Sequence, residues 1–254
     1  MEKQTKIALV TGGSRGLGRN AALALSRKGI DVIVTYYKEK DHADTVVQEI
    51  ERGGRKAAAL QFDAGRVASF DHFVSRLSDV LQSTWGRDRI DYLVNNAGFG
   101  VNAPIASTTE EQFDSLMNVN FKGVFFLTQK LLPLIADNGG IVNISSGLTR
   151  FSFEGNGAYA AMKGAVEVLT RYMAKEWGHR GIRVNTIAPG AIATDFSGGR
   201  VRDNSEVNAF ISSKTALGRV GEPQDIGGVI ASLCTTEMSW LNAQRIEASG
   251  GMVL

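Results

Sequence analysis

In the run NGAYAAMKGA, residues 156 to 165, a tyrosine and a lysine stand four positions apart among small side chains. On a helix that spacing puts Tyr159 and Lys163 on one face, so a phenol and an ammonium can be aimed at one point. A free phenol, with a pKa of about 10, is a poor proton donor or acceptor at neutral pH. A neighbouring cation stabilises the phenolate and brings the group toward useful general acid or base chemistry. Asn156 and Gly157 supply a helix start for the pair. The spacing alone is a weak signal, because Tyr36 and Lys40 repeat it. That second pair follows directly on a strand, where four residues do not define a face. Company separates the two: thirteen residues before Tyr159, the run IVNISS carries Ser145 and Ser146 to a strand end, where ligands of open α/β sheets bind.

A glycine loop supplies a reason for such chemistry. TGGSRGLG, residues 11 to 18, follows the apolar run IALV and precedes the helical pattern RNAALALSRKG. In that context Gly12 permits a tight turn, Gly16 lets backbone approach a phosphate, and Gly18 allows helix and strand to pack closely. Free N–H groups at the helix start and its positive dipole end favour a pyrophosphate, with Ser14 and Leu17 completing the loop. The second strand then decides between nucleotides. NAD sites of this kind place a carboxylate about 20 residues beyond the glycines to hold both ribose hydroxyls. VIVTYYKEK puts Tyr36 there, while Asp31 precedes the strand and Glu39 lies past its end. Arg15, helped by Lys38, offers charge-assisted hydrogen bonds to a 2′-phosphate. NADP(H) is expected over NAD(H).

These residues need a scaffold, and the chain shows one. Short β-branched or apolar runs recur: IALV at 7, VIV at 32, AAAL at 57, YLV at 92, IVNI at 141, IRVNTI at 182 and RIEA at 245. Amphipathic stretches alternate with them, clearest in ADTVVQEIER, VASFDHFVSRLSDVLQ and EQFDSLMNVNFKGVFFLTQKLLPLI. The alternation predicts an α/β fold, a Rossmann-type doubly wound parallel sheet of seven strands with helices on both faces. No linker, repeat or low-complexity segment divides the chain, so residues 1–254 read as one domain. PGAIATDFSGGRVRDNSE, 189 to 206, is the longest irregular stretch. Its glycines and mixed charges suit a mobile loop, and a substrate lid is expected over about 189–216.

Composition narrows the partners. With 28 basic and 26 acidic residues and no long basic run, nucleic acid is not expected. No apolar run reaches the roughly 20 residues that cross a bilayer, so no membrane partner is expected. MEKQTK leads into only four apolar residues, too few for a signal peptide, and a cytoplasmic location is the expectation. His42, His72 and His179 are scattered among charged residues without ligand spacing, so no metal site is expected. Cys234, in VIASLC, reads as a reduced core thiol.

The motifs together resemble the short-chain dehydrogenase/reductase family, in its single-domain branch, over essentially the whole chain. The matching pieces are TGGSRGLG, NNAG at 95 to 98, NVNFKG at 118 to 123, NISS, YAAMK and APGAIAT, all in order. LGRVGEPQDI and the closing GGM are similar to the 3-oxoacyl carrier-protein reductases, a likeness shared by sugar, steroid and xenobiotic ketone reductases. The resemblance implies hydride transfer between a nicotinamide and a ketone or secondary alcohol. It implies that Tyr159 is the acid/base, and that Lys163 holds the nicotinamide ribose and lowers the tyrosine pKa. Ser146 would bond the substrate oxygen, and Asn120, rather than Asn118, would position a water for proton relay to the lysine. Asp63 and Ala64 would border the adenine, and Asn96, Ala97 and Gly98 the adenosine ribose. Ile192 and Thr194, following Pro189 and Gly190, would hold the nicotinamide carboxamide.

Substrate and assembly are less specified. Phe99, Val101, Leu148, Phe151, Phe153 and Phe196 lie near the site in sequence and suit an apolar or aromatic-bearing carbonyl; ordinary core packing accounts for them as well. Asp137 and Asn138 in IADNGG stand where the carrier-protein reductases present a basic docking patch, so an acidic carrier would meet the wrong charge there. Ala158, Ala161, Met162, Ala165 and Val168 give the helix of the pair an apolar surface beyond what a sheet face requires, and a homotetramer is expected. Three alternatives stand beside a small-molecule reductase. One is a 3-oxoacyl carrier-protein reductase. A non-turnover NADP sensor would have no use for Ser146, Tyr159 and Lys163. An epimerase or dehydratase of the extended branch would carry TGxxGxxG and a larger tail, and the chain has neither.

Overall fold

The four side chains of IALV alternate between two interiors: Ala8 and Val10 belong to one buried cluster, Ile7 and Leu9 to the other. Such two-sided burial is what a parallel strand between helix layers requires, and it repeats across the sheet. The computed structural model describes residues 5–254; residues 1–4, which begin the MEKQTK leader, lie outside the described residues. Strands β1 (Ile7–Val10), β2 (Asp31–Tyr36), β3 (Ala57–Gln61), β4 (Ile90–Asn95), β5 (Ile135–Ile144), β6 (Arg183–Pro189) and β7 (Arg245–Ala248) form one sheet. Their order is β3-β2-β1-β4-β5-β6-β7, with every pair parallel.

The α-helices are α1 (Gly16–Arg27), α2 (Lys40–Arg52), α3 (Phe70–Trp85), α4 (Glu110–Met117), α5 (Gly123–Leu131), α6 (Gly157–Trp177), α7 (Arg200–Asp203), α8 (Ser205–Ser213) and α9 (Pro223–Leu233). Ala21, Leu25, Val46 and Ile230 from α1, α2 and α9 cover one face. Phe73, Leu77, Leu127, Leu131 and Met173 from α3, α5 and α6 cover the other. The expected doubly wound seven-stranded sheet is the observed one. The strand order reverses between β1 and β4, so a ligand crevice opens there at the carboxyl ends of the strands.

Three local features depart from the sequence reading. The single helical pattern expected over 111–135 is broken by a π turn, Asn118–Lys122, between α4 and α5. The turn lets Asn120 point inward, where its Nδ2 donates to the carbonyls of Leu116 and Phe99 at 3.1 and 3.0 Å. Second, IADNGG does not precede the fifth strand; it is the amino-terminal half of β5. The register against β4 shifts between Ile90 and Tyr92, and Asn138 takes a left-handed φ of 61°. Third, the stretch expected to be irregular is mostly helical. Pro189 ends β6, Phe196–Gly199 is a 3₁₀ turn, and α7 and α8 follow. The turn contains three consecutive left-handed residues, Ser197, Gly198 and Gly199, and for Ser197 that conformation is strained.

Candidate active site

Ser145 and Ser146 leave the carboxyl end of β5, and the structure separates their roles. Ser145 is buried and its Oγ donates to Glu167 Oε1 at 2.7 Å, so it is committed to the framework. Ser146 is only partly buried; its Oγ accepts the Leu148 N–H at 3.2 Å and starts a 3₁₀ turn, Gly147–Thr149. The Ser146 hydroxyl hydrogen is therefore free to act on the Tyr159 phenol. Tyr159 and Lys163 lie one turn apart on α6 and both are buried, 8% and 3% exposed. The chance pair is not a site: Tyr36 ends β2, packed on the core, and Lys40 opens α2, exposed and ion-paired with Asp44 at 2.6 Å.

The electrostatics of the pair follow from burial. Burial pushes the Tyr159 phenol above its ordinary range, against a smaller downward pull from the Ser146 hydroxyl. The same burial lowers the Lys163 ammonium to about 8. Lys163 Nζ donates to the Ile144 carbonyl at 2.9 Å and sits 5.6 Å from the ring centroid of Tyr159. The cation is held by backbone beneath the phenol instead of paired to the phenol oxygen. Asn120 is fully buried, and its Oδ1 accepts no hydrogen bond among the described residues. A Cβ added to Gly98 would lie 2.7 Å from that oxygen and 3.5 Å from Lys163 Nζ. Gly98 thus leaves open the space that Asn120 and Lys163 share.

The nucleotide side is equally shaped by missing side chains. Gly12 and Gly16 adopt left-handed φ values of 62° and 55°, and a Cβ on Gly18 would collide with the Gly12 carbonyl and Asn96 Nδ2. Gly12 N–H donates to Thr35 Oγ1 at 3.1 Å and Gly13 N–H to the Thr35 carbonyl at 2.8 Å, tying the loop to the end of β2. That corner carries Arg15, Tyr36 and Lys38. Arg15 and Lys38 are exposed, and their side chains make no hydrogen bond or ion pair among the described residues; Lys38 Nζ lies 5.2 Å from the centroid of the Tyr37 ring. Two cations whose side chains have no partner among the described residues, beside a cradle of glycine backbone, fit an anionic dinucleotide.

Other expected residues sort into direct and indirect roles. Ser14 and Gly16 are at the loop surface, whereas Leu17 packs on the core behind it. Asp63 and Ala64 follow β3; the Asp63 carboxylate accepts the Gly65 N–H at 2.9 Å and shapes its own turn. The Asn96 side chain braces the glycine loop, its Nδ2 donating to the carbonyls of Thr11 and Gly12 at 2.8 and 3.1 Å. Gly190 packs against Ser249, and Ile192 and Thr194 are buried beyond β6, Thr194 beside Gly16.

Several residues carry the site without a sequence signal. Thr11 Oγ1 accepts the N–H groups of both Asn96 and Ala97 at 2.9 Å and joins the first and fourth strand ends. Beneath the serines, Asn95 donates to Asn143 and Thr128, Asn143 to Thr170, and Thr186 to Thr170, a wholly buried polar ladder. Glu167, Arg245, Glu247 and Arg150 form a charged cluster behind Ser146. A partner within that cluster, Arg150, pulls the Glu247 carboxylate down to about 2. A buried residue beside β-branched runs or a charge on an edge strand looks the same in sequence whether or not it holds a site.

The aromatic residues divide in two. Phe196 is half-exposed, its ring 5.7 Å from that of Tyr159, and Phe99, Val101 and Leu148 pack around Tyr159. Phe151 and Phe153 stack with one another, and Phe153 with Phe210, in a separate cluster under α8. Asp137 and Asn138 are at the amino end of β5, roughly 26 to 30 Å of chain from Ser146 at about 3.3 Å per residue. Asp137 is also neutralised by Arg180 at 2.8 Å. They do not face the site entrance, so the charge objection to a carrier protein is withdrawn. On α6, Met162 turns inward, while Ala161, Val168 and Tyr172 face outward. Among the described residues no His, Cys, Asp and Glu cluster could hold a metal, and no helix is long and apolar enough to cross a membrane. Cys234 is buried and its thiol is pushed up to about 12.

Comparison with known proteins gives this geometry a context. A family model described as enoyl-(acyl carrier protein) reductase matches residues 12–253. The promiscuous reductase LugOII, which catalyses keto-reduction at C1 during lugdunomycin biosynthesis, is 39% identical with a TM-score of 0.93, and 100% of each chain is covered. The angucycline C-6 ketoreductase LanV, solved with bound NADP, is 35% identical with a TM-score of 0.93, covering 98% of this chain and 96% of that one. The hydroxynaphthalene reductase-like protein Arp2 of Metarhizium brunneum is 37% identical over 259 aligned positions, 98% of this chain and 95% of the relative.

Proposed function

The chain belongs to the short-chain dehydrogenase/reductase family and is an oxidoreductase; from that premise we propose that it is an NADPH-dependent reductase of apolar, aromatic-bearing ketones. The observation that carries the reading is the convergence of Ser146, Tyr159, Lys163 and Asn120 on one buried point beside a glycine cradle. Gly12, Ser14, Gly16 and the α1 N-terminus would hold the pyrophosphate, Arg15 and Lys38 the 2′-phosphate, and Lys163 with Ile192 and Thr194 the nicotinamide end. NADPH, when bound, supplies the hydride.

The chain's own residues supply the rest. Ser146 donates its hydroxyl to the substrate oxygen and holds it against the Tyr159 phenol. Burial keeps that phenol protonated at neutral pH, the form a carbonyl reduction consumes. As negative charge grows on the substrate oxygen, Tyr159 yields its proton, because an alkoxide is far more basic than a phenolate. The Lys163 ammonium beneath the ring stabilises the phenolate left behind. With its value near 8, that ammonium can pass on a proton, and Asn120 Oδ1 offers the acceptor that orients a water for its replacement.

Phe196 against Tyr159, with Phe99 and Leu148 nearby, supports an aromatic or apolar substrate, as do the angucycline named for LanV and the hydroxynaphthalene named for Arp2. The left-handed run 197–199 supports movement of α7 and α8 as a lid over about 189–216. Outward Val168 and Tyr172 support a homotetramer, and a cytoplasmic location goes with NADPH use. A carrier-linked ketone is the second reading, favoured by the description of the matching family model. A panel decides: a fused-ring aromatic ketone, an aliphatic ketone, and a 3-oxoacyl group on coenzyme A and on carrier protein, each with NADPH and NADH, followed at the nicotinamide absorbance. The aromatic ketone should have the highest kcat/KM. A carrier-linked substrate far above the rest, with kcat/KM falling steeply as salt rises, replaces this reading with the fatty-acid one. No net NADPH oxidation with any ketone refutes both.

A further inference from the structure

We propose that Glu167 is a positioning residue of the active site, setting where the Ser146 hydroxyl stands relative to Tyr159 through the Ser145 and Thr149 side chains. Glu167 lies on α6 four residues beyond Lys163 and eight beyond Tyr159, so the three share one face of one helix. Its Oε1 accepts three hydrogen bonds: from Ser145 Oγ at 2.7 Å, from Thr149 Oγ1 at 2.7 Å and from Arg245 Nε at 2.8 Å. Ser145 and Thr149 bracket Ser146 on either side. One carboxylate oxygen therefore pins both ends of the turn that carries the substrate-facing hydroxyl to the helix that carries the acid.

The bracing continues through the turn itself. The Thr149 hydroxyl, whose one hydrogen is directed to Glu167, also lies 2.9 Å from the Ser146 carbonyl, and Arg245 donates to Thr149 Oγ1 at 3.1 Å. Arg245 is held in turn by Glu247 at 2.9 Å, and Glu247 by Arg150 at 2.6 Å. Arg150 donates onward to the carbonyls of Met252 and Val253, so β7 and the chain end back the same turn. The Glu167 side chain is 14% exposed, which makes its charge-assisted bonds stronger than surface ones. Among the described residues Glu167 makes no hydrogen bond to the glycine loop of residues 11–18, so its effect is expected on chemistry more than on cofactor affinity.

The proposal rests on the reductase reading for its kinetic arm, and a second arm is independent of activity. Glu167→Gln keeps the shape and an acceptor oxygen while removing the charge, and Arg245 retains Glu247 as its counter-ion. Thr149→Val removes one donor and leaves the Glu167–Arg245 pair intact. In Glu167→Gln, amide hydrogen exchange over residues 147–151 should quicken by about tenfold or more while the β1 and β4 amides stay protected, whether or not the protein reduces the ketone supplied. For a ketone that the wild type reduces, kcat should fall between about tenfold and about a hundredfold, as misplacement of a reacting group by up to about 1 Å commands. Thr149→Val should show a smaller loss in the same direction, and the NADPH Kd should change by less than about twofold in both. In a Ser146→Ala background, Glu167→Gln should change kcat by less than about twofold, because the group it positions is gone. Unchanged exchange over 147–151, or an equal loss of kcat with and without Ser146, overturns the proposal. A wild type that reduces no ketone refutes the reductase reading instead and leaves the exchange result to decide this one.

Discussion

Replacing Arg15 with alanine should separate the two nicotinamide cofactors. Arg15 is exposed and its side chain makes no hydrogen bond or ion pair among the described residues, so its loss removes little from the folded state. A guanidinium about 4 Å from a phosphate charge gains about 1 kcal/mol in bulk water and about 4 kcal/mol at an effective dielectric constant of 20. A rim position lies between, about 2 kcal/mol, which is roughly thirtyfold in Kd. Lys38 shares the corner, but its more strongly hydrated ammonium should contribute less. Titration of NADPH and NADH at one fixed, low ionic strength should show Arg15→Ala weakening NADPH by about thirtyfold and NADH by less than twofold. Tyr36→Asp, placing a carboxylate at the end of β2, should invert the preference. A wild type that binds NADH as tightly as NADPH, or an Arg15→Ala protein that weakens both equally, refutes the assignment.

Tyr159→Phe should lower kcat by about 10² to 10⁴ with NADPH affinity intact; retention of more than about a tenth of wild-type kcat in the chemical step would falsify Tyr159 as the acid. Gly18→Ala drives a methyl into the Gly12 carbonyl and to 2.5 Å from Asn96 Nδ2, so it should cost about 1 to 3 kcal/mol in thermal unfolding and abolish NADPH binding; normal binding would show that the loop is not the cradle. For ketone reduction, kcat/KM should be level below about pH 7 and decline through about pH 8. Lys163 is depressed to about 8, so its ammonium is present below that value and lost above it, while Tyr159 stays protonated throughout. A profile level to pH 10 contradicts this. At micromolar concentration the protein should sediment as a tetramer, and Tyr172→Glu, altering an outward residue of α6, should break it into smaller species; a wild-type monomer ends the assembly reading.

The sheet was legible because its central strands repeat one physical requirement, burial on two faces, and short apolar runs between amphipathic stretches express it directly. The glycine loop and the Ser146, Tyr159 and Lys163 set were legible for a related reason: each sits at a fixed offset from a strand end or along a helix turn. What escaped was set first by local irregularities that leave the apolar pattern intact. The π turn at Asn118–Lys122 leaves the apolar pattern of the helix nearly intact, yet it alone turns Asn120 inward. IADNGG, with two glycines, reads as a segment before the fifth strand; in the structure it is the first part of that strand, pairing with β4 across an irregular register. Thr11, Asn95 and Glu167 escaped because nothing local distinguishes a polar side chain that organises a site from one that satisfies itself.

The raised phenol and the lowered ammonium share one first cause, burial, and it bears on the proposed direction of reaction. A phenol brought near neutrality by a close cation would be partly ionised before the substrate arrived, and only its protonated fraction could donate. Burial keeps Tyr159 whole, at the expense of making it a weaker acid. The weakness matters little if the acceptor is an alkoxide formed by hydride addition, since the proton then runs downhill from a raised phenol. The need for a cation arises only afterwards, when a phenolate stands in a dry site. Lys163 is already placed beneath the ring, with its Nζ anchored to the Ile144 carbonyl and its own value near 8. An ammonium so poised can release a proton to the phenolate and recover one by way of the space that Gly98 leaves open beside Asn120. A side chain at position 98 would close that space, so Gly98→Ala should slow turnover more than it slows a single reduction of enzyme-bound substrate. Pre-steady-state absorbance separates the two: a preserved first turnover with a slowed steady state supports the relay, and equal slowing of both assigns Gly98 to packing alone.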